Sequence, residues 1–308
     1  MTRRLLVLLT VVLLVAALPP VARPAPAGAQ EQVTVTVMAA GDISPDPSSA
    51  KADDIATSNL VLAANPTAVL TLGDNQYPSG ALADYSSPRG YQGSWGRFKA
   101  RTRPSPGNHD YATAGAAGYF GYFGRLAGDP AGGYYSFDLG AWHIISLNSN
   151  CGAAGAPSCD RYSTQVRWLQ ADLQRNSRLC TLAYWHHPRF TDTAGHRDDA
   201  RTQYFWNALY HARADLVLNG HNHVYQRFGA LHPLGRLIAS GAGVRELVVG
   251  TGGNSLYRFS GPPRSSSRYR DDRHYGVLRL TLAPTSWSSA FYRTDGQVAD
   301  RATAGCWR

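Results

Sequence analysis

Five short polar clusters each stand where a run of extended or apolar residues stops. They are Gly41-Asp42-Ile43-Ser44, Gly73-Asp74-Asn75-Gln76-Tyr77, Gly107-Asn108-His109-Asp110, His186-His187-Pro188 and Gly220-His221-Asn222-His223. Each alone has an ordinary explanation, because Gly-Asp and Gly-Asn pairs are common turns and a lone histidine commonly sits hydrogen-bonded in a core. Together they supply carboxylates, an amide and imidazoles, the donor types that suit zinc, iron or manganese. A glycine heads four of the five clusters and lets the backbone turn sharply as a strand ends. Side chains placed in this way converge on one rim of a sheet, where layered α/β folds bind ligands.

The elements that must carry them show two periods. Residues 33–38 alternate apolar and polar side chains and are expected as a strand. Residues 50–64 read as a helix and 68–72 as a short buried strand. Residues 134–138 and 143–147 read as a strand pair about a turn at Gly140. Residues 165–176 form an amphipathic helix with Val166, Leu169 and Leu173 on one face. Further strands are expected over 182–185, 216–218, 246–249, 277–282 and 287–292, with a helix over 202–212. Helices alternate with strands early and strands dominate later, which predicts a layered α/β (α+β) domain with mixed sheets.

Arg3 and Arg4 precede an apolar run over 5–18, and Ala27-Gly28-Ala29 follows. This order reads as a secretory signal over 1–29 ahead of a domain over 30–308. The apolar run is short for a bilayer, so no membrane span is expected after cleavage. Export places Cys151, Cys159, Cys180 and Cys306 in an oxidising compartment. Cys151 and Cys159 flank a small-residue loop and are paired locally, which leaves Cys180 for Cys306. No C-x-x-C spacing argues for a cysteine metal site. The net charge of +9 favours anionic ligands. No run of lysine or arginine marks a nucleic-acid surface. A G-x-S-x-G elbow is missing, which argues against a serine hydrolase.

In order, spacing and residue type the five clusters resemble the calcineurin-like metallophosphoesterases, over residues 40–227. The resemblance implies two mixed β-sheets packed as a sandwich and flanked by helices, an αββα fold. Ser44 stands where many members of that family have a histidine. Tyr77 follows Asp74 by three residues, and Val224-Tyr225-Gln226-Arg227 follows His223. Both features are similar to the purple acid phosphatase branch, in which that tyrosine binds ferric iron. Plant-type enzymes of the branch carry an extra N-terminal β-domain for which the chain has no room, so a compact form is expected.

Carried over residue by residue, the resemblance implies one metal on Asp42, Tyr77 and His223. A second metal falls on Asn108, His186 and His221, and Asp74 bridges the two. His186 is preferred over His187 because the family places its ligand two residues before the proline. The implied cofactors are two metal ions, iron with zinc, manganese or iron, with a zinc or manganese pair as the alternative. Such a pair clamps a phosphate ester and lowers the pKa of a bound water toward ~7. His109 resembles the histidine that steadies the phosphoryl oxygens and protonates the leaving oxygen, and Asp110 is expected to orient it. His196 resembles a second substrate histidine.

The implied activity is that of a secreted phosphatase acting on small phosphate monoesters. A phosphodiesterase acting on nucleotides or lipid headgroups is the alternative. A non-catalytic anion-binding scaffold is a third reading, opposed by the presence of Asp74, His109, His186, His221 and His223. Arg189, Arg197 and Arg227 read first as surface or structural arginines, and residues 250–254 as a strand-end turn facing the site. Tyr85, Tyr91, Trp95, Tyr111, Tyr119 and Tyr122 admit two readings, a packed loop or a pocket for a ring.

Overall fold

A computed structural model describes residues 33–49 and 53–308. The expected leader and the expected start of the first helix therefore lie outside the described residues. The first part of the chain runs β1 (Val35–Ala40), α1 (Asp54–Ala64), β2 (Ala68–Leu72), α2 (Leu82–Ser86), β3 (Thr102–Ser105) and α3 (Ala117–Phe123). The middle runs β4 (Tyr135–Leu139), β5 (Trp142–Ser146), α4 (Thr164–Arg175), β6 (Cys180–Tyr184), α5 (Gln203–His211), β7 (Leu216–Asn219), β8 (Tyr225–Leu231) and β9 (Val244–Val249). Strands β10 (Ser267–Asp271), β11 (Gly276–Leu282), β12 (Ser286–Arg293) and β13 (Val298–Gly305) follow.

The strands form two mixed sheets, ordered β13-β12-β11-β1-β2-β3 and β10-β8-β9-β7-β6-β5-β4. In the first, β1, β2 and β3 run parallel, and β11 to β13 are antiparallel neighbours. In the second, β5, β6, β7 and β9 run parallel. Successive strand residues face opposite ways, and burial in the second sheet follows that rule. Leu182 and Tyr184 of β6, Leu216 and Leu218 of β7, and Leu247 and Val249 of β9 join the core shared with Val37, Leu70 and Leu280 of the first sheet. Their neighbours Ala183, Val217 and Val248 face outward into a second core. There α4 contributes Val166, Leu169 and Leu173, and α5 contributes Phe205, Trp206 and Leu209. Ser163 caps α4 by accepting the Val166 N–H at 3.2 Å. On the opposite side α1 lies against β11. The result is the expected sandwich of two mixed sheets with helices outside.

The first strand begins two residues later than its alternation suggested and runs on to Ala40. Strands β3, β8, β10 and β13 were not expected, and three of them are sheet edges. Pro104 argues against a strand at β3, but at an edge the missing N–H leaves no ladder bond broken. β10 and β13 are polar along much of their length because one side meets water. The structure pairs Cys151 with Cys159 and Cys180 with Cys306, the second bond tying the end of the chain to β6. Tyr85, Tyr91, Trp95 and Tyr119 are fully buried in a packed aromatic segment, so they wall no ring pocket. Among the described residues no helix is long and apolar enough to cross a membrane.

Candidate metal centre

Every cluster named above begins at or just past the carboxyl end of a parallel strand. Asp42 follows β1, Asp74 follows β2, Asn108 and His109 follow β3, His186 follows β6, and His221 and His223 follow β7. The two sheets meet at this rim, where the Gly41 N–H donates to the Val249 carbonyl at 2.9 Å and the Gly252 N–H to Gly41. Close approach here requires glycine. A Cβ on Gly107 would stand 2.1 Å from Asp74 Oδ1, and one on Gly73 2.5 Å from His186 Nδ1. Asp42, Asp74 and His221 adopt left-handed backbone with φ of 58°, 48° and 67°. That conformation costs roughly 1–2 kcal/mol for a non-glycine residue and concentrates where function demands it.

Tyr77 Oη lies 3.1 Å from Asp42 Oδ1, 3.0 Å from Asp74 Oδ2 and 3.0 Å from His223 Nε2. A phenol has one proton to give, so it cannot satisfy three such neighbours. The two histidines of the inner rim have the same problem. His186 Nδ1 donates to the Leu72 carbonyl at 2.8 Å, which leaves Nε2 facing Asn108 Oδ1 at 3.0 Å and Asp74 Oδ2 at 3.2 Å. His223 Nδ1 donates to the Ser255 carbonyl at 2.5 Å, which leaves Nε2 3.2 Å from Asp42 Oδ1. In the neutral rings a lone pair would face oxygen, so a proton or a cation must lie between them. One nitrogen on a backbone carbonyl and the other turned to a carboxylate is the arrangement of a metal-binding histidine. Asp42 Oδ2 is buried without a partner. Ligand atoms of Asp42, Asp74 and His186 fall within 4.8 Å of one another, as do those of His186, His187 and His221.

Protonation carries the same strain. Burial opposes charge on Asp74, but the charge and hydrogen bond of His186 outweigh it and hold the carboxyl well below its usual range. His186 is pushed down by burial and then up by Asp74, ending at about 9. His223 is likewise raised, with Asp42 overcoming burial. His221 is lowered by burial and by the charge of His186. Tyr77 is driven far up by burial and by the charges of Asp74 and Asp42, while the Asn254 amide opposes them with a hydrogen bond. A tyrosinate here therefore needs a cation beside it.

His109 is half-buried, and its backbone N–H donates to Asp74 Oδ1 at 2.7 Å. Its Nδ1 donates to the Pro78 carbonyl at 2.6 Å, which leaves Nε2 as the nitrogen free to exchange a proton. The expectation that Asp110 orients this ring is corrected. Asp110 instead accepts from Tyr85 Oη at 2.6 Å, from the Gly107 N–H at 2.8 Å and from the Asn75 amide at 3.0 Å. Burial and the charge of Asp74 raise it to about 6. It shapes the turn that presents Asn108 and His109, while the His109 ring bonds the Pro78 carbonyl instead of this carboxylate.

His196 reaches the rim, with Nδ1 3.2 Å from His221 Nε2. His187 pairs Nδ1 with Ser149 Oγ at 2.9 Å, and its ring stays beside that of His221, with centroids 4.4 Å apart. Ser44 bonds Asp54 Oδ2 and Ser94, steadying the start of α1. Arg227 forms a two-bond pair with Asp300, and Arg197 lines a cavity of about 590 Å³ beside His196. Asn254 donates its N–H to the Asp42 carbonyl, so the 250–254 turn does face the site. Sequence reading missed Glu246, whose carboxylate accepts the N–H groups of Arg189 and Phe190 just past His187. It also missed Tyr257, whose ring stacks on His223. No local motif marks either residue.

A family model described as calcineurin-like phosphoesterase matches residues 35–225. Purple acid phosphatase 22 of Arabidopsis thaliana is 30% identical over 157 residues, covering 48% of this chain and 34% of that protein. Purple acid phosphatase 15 of the same plant is 26% identical over 224 residues, covering 62% and 40%. The matched region thus spans well under half the length of these relatives. Purple acid phosphatase PPD1 from yellow lupin seeds superposes with a TM-score of 0.70 at 17% identity, over 90% of this chain and 54% of that one. GAP50, described as the anchor in the inner membrane complex of Plasmodium, superposes at 0.65 with 13% identity, over 88% and 89%. Likenesses this distant speak to fold alone, and a fold hosts unrelated tasks.

Proposed function

The chain belongs to the calcineurin-like phosphoesterase family, and from that premise we propose that it is a dinuclear-metal phosphatase acting on small phosphate monoesters outside the cytoplasm. The observation that carries the reading is the convergence of Asp42, Asp74, Tyr77, His186 and His223 on one rim, with lone pairs and carboxylates turned on each other. Such a donor set fits two cations. Asp42, Tyr77 and His223 would hold one, Asn108, His186 and His221 the other, and Asp74 would lie between them. Iron with a divalent partner suits a phenolate ligand, and a zinc or manganese pair suits the remaining donors. Two bound cations supply positive charge to a phosphate ester and a nucleophile from water at neutral pH.

The protein's own side chains do the rest. The Asp74 carboxylate fixes the Asn108-His109 turn through the His109 N–H. The Pro78 carbonyl fixes the His109 tautomer, leaving Nε2 to give a proton to the departing oxygen. His196, with Nδ1 3.2 Å from His221 Nε2, would bind a phosphoryl oxygen. The two disulfides suit an oxidising compartment, in keeping with export by the leader over 1–29.

The test is hydrolysis of a chromogenic phosphate monoester beside its diester, with purified protein of known metal content. Preference for the monoester supports the proposal, and preference for the diester moves the function to phosphodiesterase. Silence on both with metals bound would sink the catalytic reading. Iron together with a visible absorption band that Tyr77→Phe removes would support the phenolate ligand.

A further inference from the structure

Tyr257 lies half-buried after the 250–254 turn, and its ring touches two histidines of the rim. It stacks on His223 with centroids 4.0 Å apart and planes 9° apart. It stacks on His196 at 4.9 Å and 17°. The backbone around it is tied on both sides. The Tyr257 N–H donates to the His223 carbonyl at 3.0 Å, and His223 Nδ1 donates back to Ser255. The neighbouring segment is tied to the loop that carries His196, because the Ala194 N–H donates to the Arg258 carbonyl at 2.9 Å and Thr193 bridges Phe259.

His196 has little else to fix it. It follows Gly195, whose φ is 76° and around which a Cβ would meet nothing within 4 Å. Neither helix nor strand sets its ring plane. Its hydrogen bond runs to His221 Nε2, and a nitrogen that ligates a metal cannot also accept a hydrogen bond. With His221 as a ligand, two ring contacts still orient His196: an edge contact with the His221 ring at 4.8 Å and 82°, and the stack on Tyr257, which is the one that lies flat against its plane.

We propose that Tyr257 is a positioning residue that fixes the plane and reach of His196 through this stack. The proposal rests on the reading of His196 as the group that meets the substrate. It is a role for the ring and not for the hydroxyl, so Tyr257→Phe is expected to rescue what Tyr257→Leu loses.

Two measurements test it. In metal-free protein, the carbon-bound ring protons of His196 are expected upfield of a free histidine, shifted by the current of the Tyr257 ring. Tyr257→Leu is expected to move them back, and Tyr257→Phe to keep them. In metal-loaded protein, Tyr257→Leu is expected to raise KM for the monoester by about 2–10-fold, the worth of one aromatic pair, with kcat changed less. The Tyr257→Leu/His196→Ala double variant is expected to be no worse than His196→Ala alone. Unshifted His196 protons in the wild type, additive losses in the double variant, or a silent His196→Ala would each overturn the proposal. Loss of metal from Tyr257→Leu would overturn it too, by assigning the residue to His223. An inactive wild type with the expected ring shifts would sink the phosphatase reading and leave the stack established.

Discussion

Two clusters of histidine and aspartate in this molecule use the same pairs to opposite ends. On the outer side of the second sheet, His143 gives Nδ1 to Asp138 at 2.9 Å and Nε2 to Asp172 at 2.8 Å. Arg178 completes that group by reaching Asp138, and Ser136 donates to Asp172. Each ring nitrogen has an acceptor, and the charges balance without help. At the rim, His186 and His223 face Asp74 and Asp42 at 3.2 Å, yet Tyr77 crowds the same two carboxylate oxygens and Asn108 Oδ1 faces the same His186 nitrogen. Asp42 Oδ2 is left with no partner at all. A His–Asp contact therefore says little by itself. What separates a site from a brace is whether the donors close on each other or aim together at a shared space.

The contrast can be broken by substitution. The largest effect is expected from Asp74→Asn, which removes the carboxylate between the two ligand sets. Phosphatase activity should fall by about a thousandfold or more, with metal content reduced. Wild-type turnover in that variant would end the two-cation reading. Next, His109→Ala should cost about 10²–10⁴ in kcat while metal content holds, if His109 is the proton donor. A chelator should come third. Metal bound at a hundred times its dissociation constant stabilises the fold by about 2.7 kcal/mol, so stripping it should lower Tm visibly. The same chelator shift is expected in His143→Gln, because the outer cluster has no use for a cation.

The smallest effect belongs to that outer variant. The ring of His143 is disfavoured by burial but raised above 6.5 overall by its bonds to Asp172 and Asp138. A raised histidine stabilises the fold below its unfolded value, near 6.5, and loses that contribution as pH rises through its folded value. Stability of the wild type should therefore decline as pH climbs above about 6.5, and His143→Gln should flatten the decline. With Asp138 partly exposed, the difference should be about 1 kcal/mol or less. An unchanged pH profile would mean that the outer cluster contributes nothing through charge.

Much of this rim was legible in sequence, because strand ends are marked by glycine and ligands by residue type. Gly73-Asp74 and Gly220-His221 announce both the turn and the donor. The interior strands were legible as well, since β2, β6 and β7 bury every residue and read as apolar runs. Of the four edge strands β4 was legible as half of a pair with β5, whereas Pro104 hid β3, and the half-exposure of β10 and β13 leaves no apolar signature. The role of Asp110 was misread since adjacency to His109 in sequence says nothing of where its carboxylate points. Tyr257 and Glu246 escaped because their partners come from distant segments, and a stack or a backbone contact has no motif.

The expected ligand sets straddle the boundary between the two sheets. Asp42, Tyr77 and Asn108 hang from the first sheet, and His186, His221 and His223 from the second. Each cation would thus grip both layers at once, with Asp74 holding the pair from the first. In mechanical terms such a centre would be a double rivet through a seam. Sliding of one sheet past the other would then part the two halves of each ligand set, and a load that shears the layers would be felt first at the chemistry.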